Sequence, residues 1–291
     1  MVHGPFTGAV PHAAPGRGTV RINAGKGTLM ANDAGAFVEK AGRGCGRRAI
    51  TTSAPEPRLA SAGGGPIFSP MCGRFTITHP NQAIAALFDA LPGNDLPPVP
   101  RFNICPTQAV AAVVSDGGIR RLRALRWGFL PAWYKTPTDG PLIINARADT
   151  IATKPAFREA VRSRRCLIPA TGFYEWTEGA AKARLPWYIT RADGAPMLFA
   201  GVWQAWERDG QSLFTCAIVS TEAGPDMARL HHREPVTVDP AHWPLWLGEA
   251  GHGAATLMGP QPAGTFAMHR VDPQVNSNRA EGPGLITPVA A

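Results

Sequence analysis

Cys72 directly follows Met71, and removal of that methionine would leave a terminal cysteine with an α-amine and a thiol on adjacent carbons. An aldehyde condenses with such an amine, and the thiol then closes a five-membered thiazolidine ring. An internal cysteine offers only an ordinary nucleophile. Four other segments carry groups suited to chemistry. In Asn145-Ala146-Arg147-Ala148-Asp149 an amide and a guanidinium could hold a phosphate or sugar oxygen, although a polar strand end with a surface arginine fits the same letters. Gly172-Phe173-Tyr174-Glu175-Trp176 sets one carboxylate among aromatic residues. Burial there would raise its pKa and make it a proton shuttle; a core-bonded or simply exposed Glu is the alternative.

Leu230-His231-His232-Arg233-Glu234-Pro235 puts imidazole beside guanidinium, and either His could act as a general acid near neutral pH. Two solvated histidines at a helix end would look the same. Adjacent positions on a helix point about 100° apart and no i, i+4 partner is present, which argues against a metal site. Arg126-Trp127-Gly128-Phe129-Leu130-Pro131-Ala132-Trp133 combines a cation with Trp127 and Trp133 in a Gly/Pro-interrupted loop. Such a loop can stack on or wedge bases, while burial is the commoner fate of Trp.

The elements that position these groups begin after residue 70. All eight Trp lie after Met71, whereas thirteen of the 32 Gly lie before it. The first seventy residues have no apolar periodicity and read as a disordered Gly/Ala/Pro-rich leader, expected to lie outside the mature protein as an upstream start or a basic transit-like segment, with a genuine disordered extension as the alternative. Eight Lys or Arg against three Asp or Glu give the leader a net +5 of the formal +8, so the high pI says little about the domain's ligand. Residues 71–291 suffice for one domain with a sizeable core and a short C-terminal tail. The five cysteines (Cys45, Cys72, Cys105, Cys166, Cys216) are scattered, with no CxxC pair, which argues against a disulfide framework or zinc. No run reaches membrane-spanning length. A soluble chain in a reducing compartment is expected.

Ile84, Leu87, Phe88 and Leu91 recur at helical spacing, closed by Pro92-Gly93. Pro155 suits the first turn of a helix carrying Phe157 and Val161. Asp239-Pro240 suits a cap and first-turn proline ahead of Trp243, Trp246 and Leu247. Strand-length apolar runs cover 109–114, 187–190, 197–203 and 213–220. Strands without regular βαβ alternation predict an α+β fold with a mainly antiparallel, strongly curved sheet and a few short helices.

Taken together and in order, MCGRF, RFNICPTQ (101–108), RWGFLPAW, NARADT, CLIPATGFYEW (166–176), the LHHREP region and a late Val275-Asn276 resemble the SRAP family. These are SOS-response-associated proteins that crosslink to abasic sites in single-stranded DNA. The resemblance spans residues 71 to about 279. It implies one compact domain with a pseudo-barrel sheet and a positively charged DNA channel. It also implies Cys72 as the crosslinking cysteine, Arg74 and Arg147 as phosphate grips, Asn145 and Glu175 bordering the crosslink, and His231 as the active-site histidine. The family pattern His-Asp-Arg-Met-Pro is altered, with His232 in place of Asp and Glu234 in place of Met. A protonated neighbour would lower the His231 pKa and Glu234 would raise it.

The implied partner is abasic single-stranded DNA, bound through its backbone with no metal, cofactor or membrane. The implied setting is cytoplasmic, with nucleoid association during DNA damage, and the chain is expected to act as a monomer. The same amine could serve as an abasic lyase if the iminium suffers β-elimination. Two readings compete. One is a cysteine-type (auto)peptidase with Cys72, His231 and Asn145 as nucleophile, base and orienter. The other is a non-covalent module for modified bases.

Overall fold

The apolar runs after Met71 become thirteen strands and three short helices in a computed structural model, which describes residues 71–289. The leader expected over 1–70 lies outside the described residues, as does Cys45. In chain order the elements are β1 (Arg74–Ile77), α1 (Asn81–Leu87), β2 (Leu91–Pro92), β3 (Arg101–Ile104), β4 (Ala109–Asp116), β5 (Ile119–Trp127) and β6 (Asn145–Arg147). Then come α2 (Ala160–Ser163), β7 (Arg165–Ala170), β8 (Gly172–Glu178), β9 (Arg184–Arg191), β10 (Met197–Arg208), β11 (Gln211–Glu222), β12 (Arg233–Pro235), α3 (Trp243–Leu247) and β13 (Phe266–Arg270). The fold is α+β, and its strand pairings are antiparallel except β11 with β5, β11 with β6, and β2 with β5.

One sheet runs β12-β11-β10-β7-β4-β5-β2, and β11 also pairs with β5, so β11, β10, β7, β4 and β5 close into a ring. Closure removes exposed strand edges. The second sheet, β13-β9-β8-β1-β3, packs against this ring. Phe75, Phe173, Ile189 and Phe266 of the second sheet share one apolar cluster with Val110, Trp127, Ile168, Phe199 and Ile218 of the ring. Gly201 is required there: a Cβ at that position would lie 2.8 Å from the Cys166 sulfur. Alternate residues of the ring strands, such as Val113, Leu167, Leu198 and Val219, face outward into a second cluster closed by Ile84, Phe88, Trp243 and Trp246. Strands buried on both faces explain the continuous apolar runs at 197–203 and 213–220.

The four expected strands are present, whereas the helices are shorter than their spacing suggests. After α1 the chain reverses at Asp89, which is left-handed (φ 49°). Ile84 and Phe88 are buried, but Leu87 and Leu91 are exposed, and Leu91 pairs with β5 instead of continuing a helical face. Residues 150–159 form successive turns, so the helix expected after Pro155 is reduced to α2, although Phe157 is buried. Trp243, Trp246 and Leu247 are buried as expected. Asp239 makes no side-chain cap; its carboxylate instead accepts from Arg191 Nη1 at 3.0 Å. Among the described residues no helix is long and apolar enough to cross a membrane.

Candidate functional site

β1 enters the second sheet beside β8, with Arg74 opposite Tyr174 and Phe75 opposite Phe173. That register brings the residues just before β1 alongside Glu175. The Cys72 backbone N–H donates to Glu175 Oε1 at 2.6 Å, and the Trp176 N–H donates to Oε2 at 3.3 Å. Cys72 is fully buried and Glu175 only 1% exposed. Burial raises the Glu175 pKa to about 7, despite the two amides and the nearby Arg184, which pull it down. Burial and the adjacent Glu175 also push the Cys72 thiol well above its ordinary range. The group pair is thus a neutral thiol next to a carboxyl that titrates near neutrality. Cys72 is left-handed (φ 48°), a conformation that costs a non-glycine residue energy.

Asn145 opens β6, which lies parallel to β11 with Asn145 opposite Ile218 and Arg147 opposite Ser220. Its neighbour Ile144 belongs to the cluster that holds Cys72. Both polar atoms of the Asn145 amide are buried, and neither meets a hydrogen-bond partner among the described residues. A buried orphan amide is rare in folded proteins and points to a ligand. Arg147 is exposed and makes a two-pronged pair with Asp149, at 3.1 Å and 2.7 Å. Asn145, Arg147, Thr150, Lys154, Pro155, Phe157 and Trp133 line a cavity of about 360 Å³. Trp133 stands 54% exposed at its wall.

Trp127 is not exposed. Its ring is fully buried against Phe75, and its indole N–H donates to the Ile144 carbonyl at 3.0 Å. It cannot stack on a base; it fixes the strand that carries Asn145. Arg74, expected as a phosphate grip, is already engaged within the protein. Arg74 is buried, and its guanidinium donates to the carbonyls of Val275, Asn276 (3.1 Å) and Ser277 (3.3 Å) and to the Asn278 side chain. That arginine ties the C-terminal segment to β1, and its exposure to a phosphate would require those bonds to open.

His231 follows a turn in which its N–H donates to Met227 O at 3.0 Å. Met227, like Cys72, is in the inner cluster, and Leu230 packs against that cluster. The structure therefore joins Cys72 and Glu175 directly, and ties His231 and Asn145 to the same core through neighbouring residues. His231 Nδ1 lies 3.1 Å from the Arg233 backbone nitrogen and 3.2 Å from the Arg233 carbonyl oxygen, so the backbone of β12 orients the ring. The His231 and His232 rings stack with centroids 4.3 Å apart. Glu234 is a structural residue: fully buried, it accepts from the Gly224 N–H at 2.7 Å and the Gln261 N–H at 2.6 Å. Arg233 donates to Ser220 O at 2.6 Å.

Sequence reading passed over Arg184 and the role of Asn276. Asn276 accepts from the Trp176 indole at 2.6 Å, and the Arg184 guanidinium lies on the Trp176 ring at 4.8 Å. Both placements depend on the β8–β9 register, which single-sequence patterning does not supply. Among the described residues, the four cysteines form no disulfide and no cluster of potential metal ligands occurs.

A family model described as SOS response associated peptidase (SRAP) matches residues 71–278. The chain is 36% identical over 223 residues to the abasic site processing protein YoaM of Bacillus subtilis, covering 74% of this chain and 97% of that one. It is 29% identical to the abasic site processing protein YedK of Escherichia coli, covering 75% and 100%. A crystal structure of a Bacteroides thetaiotaomicron protein superposes with a TM-score of 0.66 at 21% identity, covering 75% of this chain and 100% of that one, a likeness of fold.

Proposed function

The chain belongs to the SRAP family, and from that premise we propose that it crosslinks covalently to abasic sites in single-stranded DNA through the aminothiol of a terminal Cys72. The observation that carries this reading is the 2.6 Å contact between the Cys72 nitrogen and a carboxyl that titrates near 7. A free α-amine has a reference pKa of about 7.7–8.0, so part of it is neutral at pH 7 and able to attack the C1′ aldehyde. The resulting carbinolamine must lose its hydroxyl. Protonated Glu175 donates to that hydroxyl, water leaves, and the iminium forms. The Cys72 thiol then adds to the iminium carbon while its proton returns to the Glu175 carboxylate. The ring closes with the loss of one water overall, and Glu175 ends as it began.

His231 Nε2 is assigned the opening of the closed sugar, which exposes the aldehyde. The Asn145 amide is assigned a sugar or phosphate oxygen. Arg147 takes a phosphate in exchange for part of its pairing with Asp149, and Trp133 takes a neighbouring base. Recognition through the backbone and the aldehyde makes binding indifferent to sequence and sensitive to salt. β-Elimination from the iminium in place of ring closure would give lyase activity. We assign the reaction to the DNA damage response in the cytoplasm, with the monomer as the acting unit.

The test uses protein beginning at Cys72 and a single-stranded oligonucleotide with one abasic site. A heat- and denaturant-stable adduct is expected. Cys72→Ser keeps the amine and loses the thiol, so only a reversible or lyase-prone Schiff base should remain. Equally durable crosslinking by Cys72→Ser would remove the thiazolidine step.

A second reading rests on the same contact. The Met71–Cys72 peptide presents its nitrogen to Glu175 and holds Cys72 left-handed, an arrangement suited to protonating a leaving amine during self-cleavage. The raised thiol pKa weighs against general thiolate proteolysis. Cleavage confined to the 71–72 bond would fit this maturation role, and hydrolysis of unrelated peptides would make the protein a peptidase instead.

A further inference from the structure

Arg184 is close enough to Glu175 to act on its carboxyl, Arg74 stands opposite Tyr174 on the neighbouring strand, and Arg147 shares β6 with Asn145; the three differ in what already occupies them. Arg74 is spent on the carbonyls of the C-terminal segment. Arg147 is held by Asp149. Arg184 opens β9 opposite Glu178, is exposed, and among the described residues has no carboxylate within ion-pair distance. Its guanidinium lies on the Trp176 ring at 4.8 Å, while Arg74 approaches the same ring at 5.5 Å. Trp176 is itself pinned by its indole bond to Asn276, and the Asn276 amide in turn donates to the Arg184 carbonyl at 3.3 Å. A cation stacked on a fixed aromatic face keeps its N–H edges available and loses little rotamer freedom on meeting an anion.

The placement relative to the two sheets matters as much. Arg147 stands on β6, attached to the closed ring, whereas Arg184 stands on β9, in the sheet that carries Glu175. We infer that Arg184, presented on Trp176, is a phosphate contact for the DNA strand on the Glu175 side of the lesion, complementing Arg147 on the Asn145 side. A strand that meets Arg147 on β6 and Arg184 on β9 is held by one guanidinium from each sheet, with no base read. The pairing also explains why a bulky indole directly follows the reactive carboxyl in sequence: it carries the cation that the strand meets. This inference rests on the proposed reading of the site as a DNA-lesion site and deepens it.

The experiment measures non-covalent binding of the full 291-residue chain to a single-stranded oligonucleotide carrying one tetrahydrofuran site, which lacks the aldehyde and cannot crosslink. Affinity is followed as a function of salt for wild type, Arg184→Gln and Arg184→Lys. Arg184→Gln is expected to weaken binding roughly three- to tenfold and to reduce the log–log salt slope by about 0.7, one phosphate's worth on a single strand. Arg184→Lys should keep the slope, because the charge remains, and recover most of the affinity. A merely structural role would not separate the two substitutions by charge. Wild-type affinity and slope in Arg184→Gln would overturn the inference; if wild-type protein beginning at Cys72 still crosslinks abasic DNA, the function itself stands. Absence of any DNA binding by wild type would take both down.

Discussion

Glu175 and Glu234 are both buried glutamates, 1% and 0% exposed, and both accept backbone amides, yet the structure uses them in opposite ways. Glu234 is held by two short contacts, Gly224 N–H at 2.7 Å and Gln261 N–H at 2.6 Å, which tie the turn after β11 to the segment before β13. Its pKa is raised by burial, with both amides working against the rise. Glu175 has one short contact, from Cys72, and one long one, from Trp176, and its pKa rises to about 7. Burial alone therefore does not make a proton shuttle. What distinguishes Glu175 is that its best partner is the nitrogen at which the chemistry is assigned, so the contact changes when that nitrogen reacts. The comparison also accounts for the departure from the family pattern at Glu234, where a carboxylate in place of Met is satisfied by two amides and needs no catalytic role.

The largest expected effect is on rate at Glu175. Glu175→Gln keeps the size and the acceptor for the Cys72 nitrogen but removes the titrating proton. Adduct formation by protein beginning at Cys72 should slow by about 10²- to 10⁴-fold, with affinity for abasic DNA nearly unchanged. The wild-type rate should also show a pH limb that the variant lacks. Single-turnover kinetics across pH 5–9 would check both, and a wild-type rate in the variant would transfer the proton steps to another group.

Next comes stability at Glu234. Glu234→Ala leaves two amide donors without partners in a dry site, so thermal or urea unfolding should show a loss of about 2–4 kcal/mol. The crosslinking rate of the fraction that remains folded should stay near wild type. A variant that is fully stable but slow to react would reverse the assignment of the two glutamates.

A smaller effect concerns the pH dependence of folding. A carboxyl whose folded pKa is raised binds its proton more tightly in the native state, so its stabilising contribution is complete below the unfolded value near 4.5. That contribution is lost as pH climbs through the folded value of about 7. Glu175→Gln escapes this loss. In the 291-residue chain the variant should therefore gain on wild type between pH 4.5 and 7, by about 1–3 kcal/mol at pH 8. Parallel unfolding curves at pH 5 and pH 8 test this, and an advantage that shrinks as pH rises would mean that Glu175 is not buried in its ionised form.

The curved α+β sheet was legible in the strand-length apolar runs. The motifs offered Cys72, Asn145, Glu175 and His231 as residue types suited to chemistry, without the register that sets Cys72 against Glu175. The burial of Trp127 and Arg74 was not legible, because residue type records what a side chain can do, while the fold decides whether it faces solvent. An indole that reaches Ile144 O and a guanidinium that reaches three carbonyls near residue 276 depend on contacts 17 and about 200 positions away. The helix around Leu91 failed for a local reason: the left-handed turn at Asp89 redirects the chain into a strand. Arg184 was invisible because its significance arises only once β8 and β9 are in register.

If the reactive group is the aminothiol of a terminal Cys72, the intact mass of the adduct will reveal it. Two proteins are mixed with the same single-stranded abasic oligonucleotide: one begins at Cys72, and the other is the 291-residue chain carrying Met71→Val, verified by mass to be uncleaved. In the second, the Cys72 nitrogen is part of a peptide bond and its lone pair is delocalised. The first should give a heat-stable species with the summed mass less one water, and the second should give none. A durable adduct on the uncleaved chain would contradict that chemistry.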